Sequence, residues 1–299
     1  MKPEITNLYV QTSDYSTLVV ESTRAFSYTI HRAPDHLYVI FLDARLLMAP
    51  DIIWVYDGIV NKIEVKQKED KTLVYAYLAY PSSYSTTLDQ GMPVKLKMFF
   101  DRSFIKNLLK DKVIVIDPGH GGKDVGFLGY INLLEKNVVL DIAHYLKRGL
   151  NNHGAHAVIT RERDISIGFD QRIQVATLLE ADMFISLHTN WDLDKRINGA
   201  KGTYKGVGAQ FLCSSIIEEI GKKLRLSNLG IKRNEIQNFL PRNHHINSIP
   251  YVNIEVCTIS NPVEEGWLRS PVFKERMAIA IINGIVRYLS QHNMVMTAP

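Results

Sequence analysis

From Val113 onward the chain alternates short apolar runs with helical stripes, and this rhythm restricts the fold more than any other feature. Val113–Ile116 is wholly apolar, the signature of a strand buried on both faces. Lys136–Asn151 repeats apolar residues at 138, 142, 146 and 150, a helical stripe that Gly154 can stop. The reading continues with a strand at Ala157–Thr160, a helix at Gln171–Leu179 and a buried strand at Phe184–Leu187. A helix at Phe211–Leu224, a strand at Val252–Thr258 and a closing helix at Phe273–Leu289 complete it. Strands and helices in alternation predict an α/β domain with a central, mostly parallel sheet and helices packed on it. Ligands of such sheets bind beyond the carboxyl ends of strands. Chemistry is therefore expected just after Ile116 and Leu187 and late in Val252–Thr258.

The first hundred residues read differently. Runs rich in β-branched and aromatic residues recur at Thr17–Val20, Leu37–Leu42, Ile63–Val65 and Thr72–Tyr77, separated by turn-forming stretches such as Arg32–Asp35 and Gln67–Asp70. Short strands at this spacing predict a small all-β sandwich or barrel. The pattern changes at Asp101–Lys112, which is charged and weakly helical, so two domains are expected: 1–105, all-β, and 106–299, α/β. With 46% hydrophobic and 22% charged residues the 299-residue chain has the composition of a globular protein, not of a disordered or fibrous one. The net charge of +4 and the lack of basic clusters interleaved with aromatics make no case for nucleic acid. No apolar run approaches a transmembrane length, and MKPEITNLYVQ has no signal-peptide pattern, which fits either a cytoplasmic protein or a trimmed mature one. Cys213 and Cys257 sit among apolar neighbours and read as buried free thiols.

The first strand end carries Asp117-Pro118-Gly119-His120-Gly121-Gly122-Lys123-Asp124. Its glycines permit a sharp turn and close backbone approach. A phosphate loop would need Gly at 117 and Ser or Thr at 124, and both positions hold Asp. What the turn presents is a histidine. His188 follows a second buried strand, so two imidazoles are expected on one rim. Glu135 opens the 136–151 helix. There it can simply complement the helix dipole, or it can point back at His120 as a third ligand. His, Glu and His with an open fourth position is a catalytic zinc arrangement. Glu255 lies within an apolar strand, where an unpaired carboxylate is costly. It either pairs with a nearby Lys or Arg, or serves beside a metal as a general base. Asn190 and Asp117 are candidates for supporting the ligands or contacting substrate, or for capping strand ends as Asx turns. His244 and His245 precede Pro250 in an irregular stretch and could touch substrate. His31, His36, His144, His153, His156 and His292 are read as ordinary surface or turn residues.

Several blocks then occur together and in order: IDPGHGGKDVG (116–126), EKNVVLDIA (135–143), TRERD (160–164), QRIQVA (171–176), ADMFISLHTN (181–190), GIK (230–232) and NIEVCTISNPVEE (253–265). This set resembles the catalytic domain of the zinc-dependent N-acetylmuramoyl-L-alanine amidases of the amidase 3 type. The resemblance implies a central sheet of about six strands with helices on both faces. It implies one Zn2+ per chain on His120, Glu135 and His188, and Glu255 as the catalytic glutamate. The implied reaction is hydrolysis of the amide between N-acetylmuramic acid and L-alanine in peptidoglycan. Thr189 and Cys257-Thr258 depart from the usual family residues without removing a ligand or the acid/base. Some relatives carry an inserted autoinhibitory helix between the second histidine and the final strand. Here only 255 − 188 = 67 positions separate His188 from Glu255, and a strand and a helix fill much of them, so no such insertion and an open site are expected.

The first domain, through Ile5-Thr6-Asn7-Leu8, Leu37–Leu42 and Gly58–Val65, resembles the AMIN module that targets such amidases to peptidoglycan. The implied partners are peptidoglycan and an activator protein, and the implied location is the periplasm or cell wall. Three other readings stay open: a zinc peptidase cutting within the stem peptide, a non-catalytic peptidoglycan-binding protein, and a regulatory or sporulation-linked scaffold whose β domain carries the main role.

Overall fold

The computed structural model describes residues 1–234 and 249–296. His244 and His245 lie outside the described residues, as does part of the stretch on which the expected openness of the site depends. Two compact units divide the chain, Met1–Asn107 and Leu108–Pro299.

The first unit is built of strands β1 (Glu4–Thr12), β2 (Ser16–Ser22), β3 (Tyr28–Ala33), β4 (Leu37–Leu42), β5 (Arg45–Leu46), β6 (Asp51–Trp54), β7 (Val60–Lys68), β8 (Lys71–Leu78), β9 (Tyr84–Asp89) and β10 (Val94–Phe100). They form two five-stranded sheets, β5-β1-β2-β10-β9 and β3-β4-β8-β7-β6. Strand alternation supplies the core: Val94, Leu96, Met98 and Phe100 of β10 are buried, as are Tyr38, Ile40 and Leu42 of β4. The Tyr38 ring meets Phe100 at 5.6 Å between centroids, joining the two sheets. Arg102 is buried in this unit, with hydrogen bonds to the Ser16 hydroxyl and the Asp57 carbonyl.

After α1 (Ser103–Leu109) the second unit runs β11 (Val113–Pro118), α2 (Glu135–Asn152), β12 (His156–Ile159), α3 (Phe169–Leu178), β13 (Met183–Asn190), β14 (Ala200–Lys205), α4 (Ala209–Leu224), β15 (Asn228–Arg233), β16 (Tyr251–Thr258), α5 (Pro262–Leu268) and α6 (Pro271–Met296). Its sheet has the order β12-β11-β13-β16-β14-β15. Four of the five neighbouring pairs are parallel, and β14 runs antiparallel to β16, so the sheet is mixed. The strand Ala200–Lys205 that reverses the direction, its neighbour β15 and the short helix α5 are additions to the elements read from sequence.

Register along the central strands places the site. Phe184 pairs with Tyr251, Ser186 with Asn253 and His188 with Glu255. Val115, Phe184 and Tyr251 pack against Ile173 and Ala176 of α3. With a period of two, Ser186 and His188 continue on the Phe184 face, and Asn253 and Glu255 on the Tyr251 face. The face that begins as core therefore ends, toward the carboxyl edge, in an imidazole beside a carboxylate. α2 and α4 contact sheet strands, and α6 packs on both helices.

Candidate metal centre

Three segments converge at this edge. His120 lies in the turn after β11, Glu135 opens α2 and His188 sits inside β13, which runs two residues past it rather than ending before it. One ligand atom from each of the three lies within 4.8 Å of the others. Nε2 of His120 is 3.2 Å from Glu135 Oε2, and Nδ1 of His188 is 3.1 Å from Glu135 Oε1. The two rings stand edge to face, 4.9 Å between centroids.

Glu135 is fully buried, and backbone amides from two other segments hold it. The Phe127 amide donates to Oε2 at 2.7 Å and the Thr189 amide to Oε1 at 2.8 Å. Burial pushes its pKa up, but hydrogen bonds from His120 and His188, the His188 charge and the Phe127 amide outweigh that and hold the carboxyl well below the usual range. His120 has a left-handed backbone, φ 62°, a conformation rare for a non-glycine residue and met at functional turns. Its Nδ1 lies 2.9 Å from Asp124 Oδ2, which leaves Nε2 facing the cluster. Two glycines let these parts meet. A Cβ on Gly119 would stand 2.5 Å from His188 Nε2, and one on Gly126 would stand 2.7 Å from both Glu135 Oε2 and His120 Cδ2. An anionic oxygen ligand and two imidazoles on one centre are a donor set suited to zinc.

The histidine turn is held from below by buried arginines. Arg161 donates to the carbonyls of Pro118, Gly119 and Lys136. Arg172 donates to the carbonyls of Pro118 and His120 and to Asp117 Oδ1 at 2.7 Å. Asp117 also accepts from the hydroxyls of Thr160 and Ser186. It thus ties the start of the loop to Thr160, to β13 and to α3. The amide of Asn190 donates to the Thr258 hydroxyl at 3.0 Å, tying β13 to β16. Asp124, Arg161 and Arg172 were visible in sequence only as members of motif blocks. The four-residue step from His120 to Asp124 across a glycine turn was the one local signal.

Glu255 is paired across the strands with His188 on one side and Lys201 on the other. Lys201 Nζ lies 3.2 Å from its Oε2. Burial raises the pKa of Glu255, partly countered by the Lys201 charge and hydrogen bond. Glu264 and Glu265 are almost wholly buried. Glu264 accepts from the amides of Gly199 and Thr258, and Glu265 from those of Ile131 and Leu133 and from Arg269. Cys213 and Cys257 are free and buried, as the sequence predicts.

Comparison with known proteins agrees with this geometry. Residues 114–287 match the N-acetylmuramoyl-L-alanine amidase family. The probable cell wall amidase LytH of Staphylococcus epidermidis is 32% identical over 202 residues, 67% of this chain and 66% of LytH. LytC of Bacillus subtilis, an N-acetylmuramoyl-L-alanine amidase, is 33% identical over 184 residues, which are 62% of this chain and 37% of LytC. The chain thus spans just under two thirds of the staphylococcal relative and little more than a third of LytC. Among solved structures, amidase AmiC2 of Nostoc punctiforme superposes with a TM-score of 0.55 at 30% identity, covering 60% of this chain and 97% of AmiC2. CwlD of Clostridioides difficile, solved in complex with the GerS lipoprotein, gives 0.56 at 28% identity over 60% of this chain and 100% of CwlD. A match over more than half its length, on the unit that carries the His120–Glu135–His188 cluster, makes this chain a member of the N-acetylmuramoyl-L-alanine amidase family.

Proposed function

We propose that the chain hydrolyses the amide between the lactyl group of N-acetylmuramic acid and L-alanine in peptidoglycan, using one zinc ion held by His120, Glu135 and His188. The observation that carries this reading is the convergence of those three donors beside Glu255 at one sheet edge. Bound there, zinc supplies a Lewis acid for the carbonyl and makes water nucleophilic at neutral pH. The protein's own groups do the rest. Glu135, buried and fixed by two amides, keeps its charge and orients both imidazoles. Asp124 holds the His120 ring. Glu255 takes the proton from the attacking water and returns it to the leaving amine of L-alanine. Its partial burial suits it to that exchange, because the ionised form is not over-stabilised.

In this reading residues 1–105 form an AMIN-like targeting module. Its second sheet offers aromatic and cationic side chains together. Lys62 Nζ lies 5.4 Å from the Trp54 ring and 4.2 Å from that of Tyr77, and Trp54 stacks on Tyr56 at 5.5 Å. The substrate places the enzyme at the cell wall or in the periplasm. No helix among the described residues is long and apolar enough to cross a membrane. The complex of the relative CwlD with a lipoprotein supports a partner protein for this chain as well. Digestion of purified sacculi by the zinc-loaded protein, read by mass spectrometry, tests the reaction. Release of intact stem peptides beginning at L-alanine is expected. Truncated peptides would instead mark a peptidase, and no release together with no bound zinc would mark a binding protein.

A further inference from the structure

Two exposed rings share the anchorage of the metal cluster. The Phe127 amide holds one oxygen of Glu135 and the Thr189 amide holds the other, two residues before Trp191. From these adjoining positions the rings of Phe127 and Trp191 come together, nearly parallel at 19°, with centroids 6.0 Å apart. Lys195 Nζ rests 4.7 Å from the Trp191 ring centre and steadies it. Both rings remain open to water, Phe127 at 47% exposure and Trp191 at 37%. Exposed large apolar side chains scattered singly need no explanation, but a stacked pair fixed to a buried carboxylate at a reactive edge does.

We propose that Phe127 and Trp191 form a stacking platform for a pyranose ring of the glycan strand, the sugar that bears the scissile lactyl amide. The proposal rests on the amidase reading and names the part of the substrate that this edge recognises. The axial C–H bonds of a hexopyranose carry partial positive charge and pack flat on the negative face of an aromatic ring. In the proposed substrate one such ring lies only a lactyl ether away from the carbonyl that is attacked. A platform anchored through the metal-binding carboxylate is therefore at the right place for the sugar. It also explains how the site prefers the first amide over the similar ones further along the peptide. Those lack a neighbouring sugar, so they gain nothing from the two rings.

The test uses the full zinc-loaded chain and follows tryptophan indole N–H resonances by NMR. Only Trp54, Trp191 and Trp267 contribute, and loss of one signal in Trp191→Phe assigns it. Titration with peptide-free glycan disaccharide, N-acetylglucosaminyl-N-acetylmuramic acid, is expected to shift the Trp191 signal. Phe127→Ala is expected to weaken the affinity it reports by about three- to tenfold, the loss of one aromatic contact, and to leave the affinity for free stem peptide unchanged. In hydrolysis the same variant raises KM for glycan-linked peptide more than it lowers kcat. A Trp191 signal unmoved by the disaccharide, or an equal loss of stem-peptide affinity, overturns the proposal. A platform used for docking a protein would give the first of these results. Failure of the amidase reading is seen separately, in the peptides released from sacculi.

Discussion

Gly119→Ala isolates the geometry of the cluster from the stability of the fold. Gly119 does not occupy left-handed backbone, so an added methyl acts by steric contact alone. That methyl would stand 2.5 Å from His188 Nε2 and 2.8 Å from Nδ1. The ring's Cε1 would be nearer still, and ordinary contact begins at about 3.5 Å, so the imidazole must retreat by more than about 1 Å. Zinc–nitrogen bonds are about 2.0–2.1 Å and tolerate only about 0.2 Å of error. The ring can yield, since 28% of the His188 side chain is exposed, and the fold is expected to survive. Loss of a residue that merely supports a ligand already costs about 10–100-fold in metal affinity. Displacing the ligand itself should cost about 100-fold or more, whereas the unfolding free energy of the metal-free protein should change by no more than an ordinary surface substitution, about 0.5 kcal/mol. Zinc competition against a chromophoric chelator measures the first, and calorimetry of the apo-protein the second. Zinc affinity within threefold of wild type in a folded Gly119→Ala protein would refute the placement of His188 among the ligands.

Glu255→Gln should keep one zinc per chain while kcat falls by about 10²–10⁴, the usual worth of a general acid–base; parallel metal analysis and peptide-release kinetics check the two halves. Chelation should abolish hydrolysis and lower the melting temperature, and added zinc should restore both, with a midpoint that rises with free zinc concentration. Burial pushes the Cys213 thiol up to about 12 and that of Cys257 well above its ordinary value, so a thiol reagent should label neither in the native protein and both after denaturation. Glu265→Ala removes the acceptor of the Ile131 and Leu133 amides, which should exchange hydrogen faster while β11 amides stay protected; unchanged exchange at 131 and 133 would refute that anchorage.

The rim was legible because each of its residues sits at a change of pattern. His120 follows the wholly apolar Val113–Ile116 by one glycine turn, His188 directly follows the mostly apolar Phe184–Leu187, Glu135 opens an apolar stripe, and Glu255 interrupts one. What stayed hidden depends on partners distant in the chain. β14, Ala-Lys-Gly-Thr-Tyr-Lys, has no apolar run and becomes a strand because β16 pairs with it. β15, Asn-Leu-Gly-Ile-Lys-Arg, is an exposed edge with little to bury. In the first unit β3 and β9 are largely exposed, so their sequences carry little inward pattern; β10, absent from the strands read from sequence, alternates Val-Lys-Leu-Lys-Met with its apolar residues buried. Arg161 and Arg172 resist reading for another reason. Charged residues belong on the surface by default, and these two are buried because the turn at 118–120 offers them carbonyls, Lys136 one more for Arg161 and Asp117 a carboxylate for Arg172.

The carboxylates at this edge divide by what neutralises them, and the division assigns their work. Glu135, Glu264 and Glu265 each accept two or more backbone amides. Amides are fixed donors, so a carboxylate saturated by them is held in one place and serves to join segments: Glu135 the 127 loop to β13, Glu264 the start of β14 to the end of β16, Glu265 the 131–133 turn to α5. Glu255 is met instead by the side chain of Lys201, itself 40% exposed and able to move. A proton carrier needs both forms accessible and a partner that can give way as its charge changes. Glu265 also meets a half-exposed side chain, Arg269, but its backbone amides fix it in place, whereas Glu255 is met by Lys201, and its burial already shifts the balance toward the protonated form. The three amide-bound acids build the rim, and the fourth is the one to which the proposed mechanism gives the proton.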